Sequence, residues 1–213
     1  KIIAEIGINH NGSLEIAKKL IDTAIIAGCD YVKFQKRNPD ICVPDQQKIK
    51  PKVTPWGEMT YINYKHKIEF GKKQFDEIDK YCSKRGMKWF ASVWDLDSVD
   101  FMADYADITK IPSAHITNNE LLTYARRKNK LMMLSTGMSQ EEDIEKSIKI
   151  GNPDIVFHTN STYPCPVEEL NLNYIKLLKE KYPNKSIGYS GHEYGLVASF
   201  AAAALGAEYV ERH

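Results

Sequence analysis

No stretch of this chain approaches the roughly 18 consecutive apolar residues of a membrane-spanning helix. Its longest run of small apolar residues, Ala198 to Leu205, reads instead as a packed helix. No targeting segment is visible, so membrane partners are not expected. Charge of one sign is missing too: 29 Lys and Arg stand against 28 Asp and Glu, a formal net charge of +1. That argues against a basic field for nucleic acid, and any local positive charge must serve a pocket. Cysteine is sparse, and Cys29, Cys42, Cys82 and Cys165 form no CxxC pair. A reduced, cytoplasmic compartment is the expectation. No GxGxxG follows the first apolar segment, which removes the usual signature of dinucleotide binding.

What is present is a chain of 213 residues, 43% hydrophobic and 27% charged, enough for one domain with a substantial core. Periodicity alternates between short apolar runs and amphipathic stretches. Strands are predicted at 1–7, 31–35, 88–94, 107–112, 131–136, 154–160, 186–191 and 208–212. Helices are predicted after Ser13, an N-cap, up to Gly28, then at 73–85 closed by Gly86, and at 97–104, 119–128, 140–149, 171–181 and 194–205. Ser139 and Glu142 read as a capping box before the fifth of these. Eight strands and seven helices predict a (β/α)8 TIM barrel over 1–213 that lacks its last helix, with a doubly wound sheet as the competing fold. The chain opens on Lys1 inside a strand pattern and stops at His213 just after another, so it is expected to be part of a longer polypeptide. Residues 36–72, with Pro39, Pro44, Pro51 and Pro55 and the aromatics Trp56, Tyr61 and Tyr64, form an unusually long connection. It reads either as an insertion packed on the barrel or as a lid or subunit contact.

In a barrel, alternate side chains point inward and the C-terminal strand ends build the active site. Lys33 and Gln35 then share one face of the second strand, opposite Phe34. A lysine inside an apolar strand needs a partner, either an ion pair with a carboxylate such as Glu5 or a ligand. Lys110 repeats the anomaly in the fourth strand with Ser113 just beyond it, and Ser92 ends the third. Two inward lysines with several hydroxyls suit a multiply charged anion such as phosphate.

Ser190 and His192 share a face at the seventh strand end, and Tyr209, Glu211 and His213 share one at the eighth. Either histidine alone reads as structural. Together, on adjacent strands, they suit a divalent ion with open positions. His10, His66 and His115 read as solvated, and alternation leaves His158 inward beside the site or outward in the packing.

The segments EIGINHNG (5–12), VKFQ (32–35), KIPS (110–113), LSTGM (134–138), STYPCP (161–166), YSGH (189–192) and VERH (210–213) are similar, in order, to those of the sialic acid synthase family. The resemblance implies a (β/α)8 barrel condensing phosphoenolpyruvate with N-acetylmannosamine or a related N-acylated amino sugar to a nonulosonic acid. His192 and His213 match its metal ligands, for Mn2+ or Mg2+. Lys33, Ser92, Lys110, Ser113, Ser161 and Ser190 match positions holding phosphoenolpyruvate, and Glu5, Gln35, Tyr163 and Glu211 match positions contacting the sugar. Glu5 and Glu211, with Lys33 and Lys110, are the catalytic candidates, and either glutamate suits proton handling. The resemblance further implies a small C-terminal antifreeze-like domain and a homodimer for the full-length protein. KIPS and SVWD (92–95) depart from the family's usual segments, and Ser161 stands where some members carry Asn, which bears on which sugar fits. A legionaminic, pseudaminic or spore-coat precursor is the alternative substrate, and a non-catalytic sugar- or anion-binding barrel the alternative class.

Overall fold

Apolar residues fill both faces of most parallel strands, because helices cover one side and the barrel interior the other. The computed structural model describes residues 1–213. Chain order runs β1 (Ile2–Gly7), α1 (Leu14–Ile26), β2 (Tyr31–Lys36), α2 (Pro39–Cys42), α3 (Asp45–Lys48), β3 (Pro51–Thr54), β4 (Gly57–Thr60), α4 (Tyr61–Ile68) and α5 (Lys72–Arg85). It continues through β5 (Lys88–Val93), α6 (Leu96–Ala103), β6 (Ile108–Ile111), α7 (Asn119–Lys128), β7 (Leu131–Ser135) and α8 (Glu141–Gly151). The last elements are β8 (Ile155–Thr159), α9 (Tyr174–Lys181), β9 (Ser186–Gly191), α10 (Val197–Ala204) and β10 (Tyr209–Arg212).

Eight parallel strands close in the order β1-β10-β9-β8-β7-β6-β5-β2, so the barrel replaces the competing open sheet. Between strand ring and helices lies the larger core, which includes Phe34, Phe75, Trp89 and Ile187. Inside the barrel, Ile3, Phe90, Met133, Ile155 and Phe157 form a second apolar layer that plugs the lower half. Polar side chains one pleat higher, on the same inward faces, form the layer above it.

Local signals act as the sequence implies at two helix ends. The Ser13 side chain accepts from Ile16 N at 3.3 Å, and Gly86 closes α5 in the left-handed conformation. The capping box before α8 sits one residue later than expected. Asp143 accepts from Gln140 N at 3.3 Å, whereas the Ser139 hydroxyl turns back to Gly137 O at 3.0 Å and is unavailable as a cap. The 36–72 connection is not loose: α2, α3, the antiparallel β3–β4 hairpin and α4 build a small unit. No helix is long and apolar enough to cross a membrane.

Candidate active site

Register decides which polar side chains meet. Glu5 pairs with Lys33 across β1 and β2, Gln35 with Ser92, Ser92 with Lys110, and Ser190 with Glu211. These neighbours share the inward face, and their side chains converge at the C-terminal end of the barrel in a pocket of about 210 Å³. All the residues singled out from the sequence line it: Glu5, Lys33, Gln35, Ser92, Lys110, Ser113, Ser161, Tyr163, Ser190, His192, Glu211 and His213. Trp94 and Pro112, from the SVWD and KIPS segments that depart from the family's usual ones, line it too, and two further lining residues, Ser135 and Thr159, were not anticipated. Ser135 and Thr159 follow from the same inward alternation that selected Lys33, so that signal was readable for them too.

At the centre two ammonium groups face two carboxyl groups. Lys33 contacts Glu5 closely, lies 3.6 Å from Glu211, and donates to Ser92 Oγ at 2.9 Å. Lys110 donates to Glu211 at 2.7 Å, and Ser190 donates to the same oxygen at 3.0 Å. The ion-pair reading of Lys33 therefore holds, and its ammonium also lines the pocket. Burial pushes the Glu5 carboxyl upward, against the pull of Lys33. Burial acts on Glu211 in the same sense, but Lys110 and Lys33 outweigh it and hold that carboxyl low. Burial would lower Lys33, yet Glu211 and Glu5 keep it above its ordinary range. Lys110 is brought down to about 8, by burial first and with Glu211 opposing. Its ammonium stands 4.4 Å above the Phe157 ring, so the apolar plug is also the floor of the site.

Two glycines keep this space open. Gly7, at φ +53°, takes up the register shift at the end of β1, and a Cβ there would lie 2.6 Å from the Glu5 carboxylate. Gly137 donates its N–H to Ser113 Oγ at 3.0 Å. A Cβ on it would strike the hydroxyls of Ser161 and Ser113, so this cradle of one N–H and two hydroxyls requires glycine.

His192 and His213 meet as adjacency requires, Nε2 to Nε2 at 3.2 Å. His192 Nδ1 faces Asn160 O at 2.6 Å and His213 Nδ1 faces Gly191 O at 3.0 Å. Each Nδ1 must donate to its carbonyl, which leaves both Nε2 lone pairs bare and aimed at one another. Burial pulls His213 down to about 3 and lowers His192 as well, so a shared proton is disfavoured. Glu211 adds an oxygen 3.7 Å from His213 Nε2, and its second oxygen is buried without a partner. The two bare imidazole nitrogens are the groups here that could hold a divalent cation, although no set of three histidine, cysteine or acidic side chains converges for one.

Behind the imidazoles, the Arg212 guanidinium grips the carboxylate of Glu193 and donates to the carbonyls of Glu193 and Gly195 at 2.8 and 2.9 Å. Tyr189 donates to the same carboxylate at 2.7 Å. The remaining histidines stand outside the site. His158 points outward, with Nε2 against Leu170 O at 2.7 Å. His66 pairs with Asp40 at 3.1 Å, and His115 packs edge-on against Trp94. His10 departs from the expectation of a solvated residue: it is 3% exposed and stacked on Phe70. The ring is apolar enough on its faces to join the aromatic packing, and Gly12 N satisfies its Nδ1 at 3.0 Å.

The polar layer, with its lysines, carboxylates and imidazole pair, has the composition that the sequence segments implied. A model of the NeuB family matches residues 20–213. The chain belongs to the NeuB family. It is 37% identical to the N-acetylneuraminate-9-phosphate synthase of Drosophila melanogaster, over all of this chain and 59% of that protein. It is 35% identical to the N,N'-diacetyllegionaminic acid synthase of Campylobacter jejuni, over all of this chain and 66% of that one. The chain thus spans about three fifths of the length of these curated relatives. Among solved structures it is similar to the sialic acid synthetase of Leptospira borgpetersenii in complex with citrate. The TM-score is 0.89 at 32% identity, covering all of this chain and 72% of that one.

Proposed function

We propose that this NeuB-family barrel is the catalytic domain of a synthase that joins phosphoenolpyruvate to the aldehyde of an N-acylated amino sugar, giving a nonulosonic acid and phosphate. The observation that carries this reading is the convergence of Lys33 and Lys110 with Glu5 and Glu211 beside two bare imidazole nitrogens in one pocket. The names of the relatives support it, since they are synthases of acids of this kind. N-acetylmannosamine is the first substrate to try, and the precursors of legionaminic and pseudaminic acids are the others.

Lys33 and Lys110 hold the carboxylate and phosphate of phosphoenolpyruvate in a buried pocket, where fixed charges act at low dielectric. Ser113, Ser161 and the Gly137 N–H supply donors or acceptors for the remaining oxygens, with Ser92 and Ser190 bracing the lysine and the glutamate. Gln35, Tyr163 and Glu5 orient the sugar, and Glu211 or Glu5 handles the proton. Carbon–carbon bond formation leaves a cationic centre at the carbon bearing phosphate. Water adds there, and phosphate leaves by carbon–oxygen cleavage. A Mn2+ or Mg2+ ion held by His192 and His213 would supply Lewis-acid polarisation of the aldehyde oxygen.

The test is phosphate release by the full-length protein from phosphoenolpyruvate with N-acetylmannosamine and manganese, repeated across a panel of amino sugars. Wild type should release phosphate with at least one sugar, and Lys110→Ala should lose turnover while keeping its circular dichroism spectrum. Wild-type turnover in that variant would refute the anion assignment. Undiminished activity after chelation would refute the metal.

A further inference from the structure

An amide beside a buried carboxyl group can meet it with either end. The Gln35 Nε2 donates to Glu5 Oε1 at 3.1 Å. Turned over, the same side chain would present its carbonyl oxygen to Glu5 and suit only a protonated acid. What prevents the turn lies outside the pocket.

The Arg37 guanidinium donates to Gln35 Oε1. A guanidinium has no acceptor, so the atom it faces must be the amide oxygen, and the Nε2 end is committed to Glu5. Arg37 is itself held firmly. It is 7% exposed, and its guanidinium lies 4.3 Å from the ring of Trp94. Its Nε stands 3.7 Å from Glu69 Oε2, and its backbone N–H donates to Glu69 Oε1 at 3.0 Å. Glu69 caps the C-terminus of α4, where the 36–72 unit returns to the barrel. Lys36 secures that end from β2, donating to the same glutamate at 3.0 Å and to Phe70 O at 3.1 Å. An unbroken series of polar contacts therefore runs from Glu69 through Arg37, Gln35 and Glu5 to Lys33 at the centre of the site.

The inner end of this series is finely balanced. Facing Glu5 are Lys33 and Gln35 on β2 and Glu211 on β10. Burial first, and Glu211 with it, favours the protonated acid, against Lys33 and the Gln35 N–H. An amide turned the other way would remove one of the two groups that favour the carboxylate and add one that favours the acid.

Resting on the condensation proposed above, we propose that Arg37 is a positioning residue: anchored on Glu69, it fixes the Gln35 amide and so keeps Glu5 an ionised acceptor in the pocket. The 36–72 connection then serves the site from outside, by bringing Glu69 back to the end of β2.

The experiment compares the full-length protein, wild type and Arg37→Ala, with the sugar that supports phosphate release. A cavity of about 300 Å³ beside Arg37, bordered by Asn38, His66 and Asp97, gives guanidinium ion a way in. Arg37→Ala, shown to be folded by circular dichroism, should lose kcat/KM roughly tenfold or more, as misplacement of an orienting group does. The acid limb of its kcat/KM profile should move to higher pH, because Glu5 then takes up a proton sooner. Guanidinium chloride at a millimolar, non-denaturing concentration should restore part of the loss, and sodium chloride of equal strength should not. Wild-type kinetics with a wild-type pH profile overturn the proposal. So does a loss that leaves the profile in place and ignores guanidinium, which marks a merely structural residue. If no sugar yields phosphate, the condensation reading fails by itself. The Gln35 side-chain amide resonance, located with Gln35→Glu, then decides the positioning alone. It should shift in Arg37→Ala and return with guanidinium, and an unmoved resonance overturns the proposal.

Discussion

Acid attacks this molecule through His10. Burial against Phe34 and Phe70 lowers its imidazole to about 4 from an ordinary 6.5. Above pH 6.5 folded and unfolded chains both carry it neutral, and its contribution is complete. Between pH 6.5 and about 4 the unfolded chain takes up a proton that the folded chain refuses, so stability falls, by up to about 3 kcal/mol. A His10→Asn variant should start less stable at neutral pH and lose less on acidification. Urea unfolding midpoints followed down through that window check both points. The burial of His10 was hidden in the sequence because a Gly/Asn loop reads as exposed. Only the tertiary arrangement brings Phe70, far along the chain, onto its ring. Lys33, Lys110 and the histidine pair were legible for the opposite reason, since strand alternation alone aims them inward. Trp94 was legible as part of the departing SVWD segment, and it continues the Ser92 face one residue past β5 just as His192 continues the Ser190 face past β9.

The strand ends bearing the imidazoles are held from outside by a single clamp. Glu193 on the β9–α10 loop accepts from Arg212 on β10 and from Tyr189 on β9, so one carboxylate braces two strand ends that the backbone ladder pairs. Glu193→Ala would leave a guanidinium and a phenol without their anion. It should cost about 2–4 kcal/mol of stability, and Mn2+ binding followed by electron paramagnetic resonance should weaken. Unchanged Mn2+ affinity in a folded variant would show that the clamp does not set the imidazole spacing. Barrel strands and helices were readable from periodicity, but the 36–72 unit was not. Its helices α2 and α3 and its strands β3 and β4 have four residues each, too few for a period to emerge. Proline reads there as a sign of loop, whereas Pro39 sits at the first turn of α2, where its missing N–H does no harm.

Across the whole molecule, closure of the barrel rests on its interior plug. Phe157 is fully buried there and touches both halves of the design, packing with Ile3, Phe90, Met133 and Ile155 below and supporting Lys110 above. Gly188 fits against its ring, where a Cβ would come within 2.6 Å. Phe157→Ala should therefore lower stability by about 3–5 kcal/mol, as expected for a large core cavity, and thermal denaturation should show the loss. The barrel itself was legible as eight strands in sequence. The division of its interior into an apolar plug and a polar upper layer emerges from how far along each strand the chain changes character, from Ile3 to Glu5, Phe90 to Ser92, Ile108 to Lys110 and Phe157 to Thr159. That polar layer is an internal salt, with Lys33 and Lys110 already matched by Glu5 and Glu211 before any ligand arrives. An incoming anion must compete with these built-in counter-ions, so a stray chloride gains little by entering. Under the proposed function, only a guest with several charges spaced to meet both lysines would displace them, and the resting pocket would then act as a filter against the common anions of its surroundings.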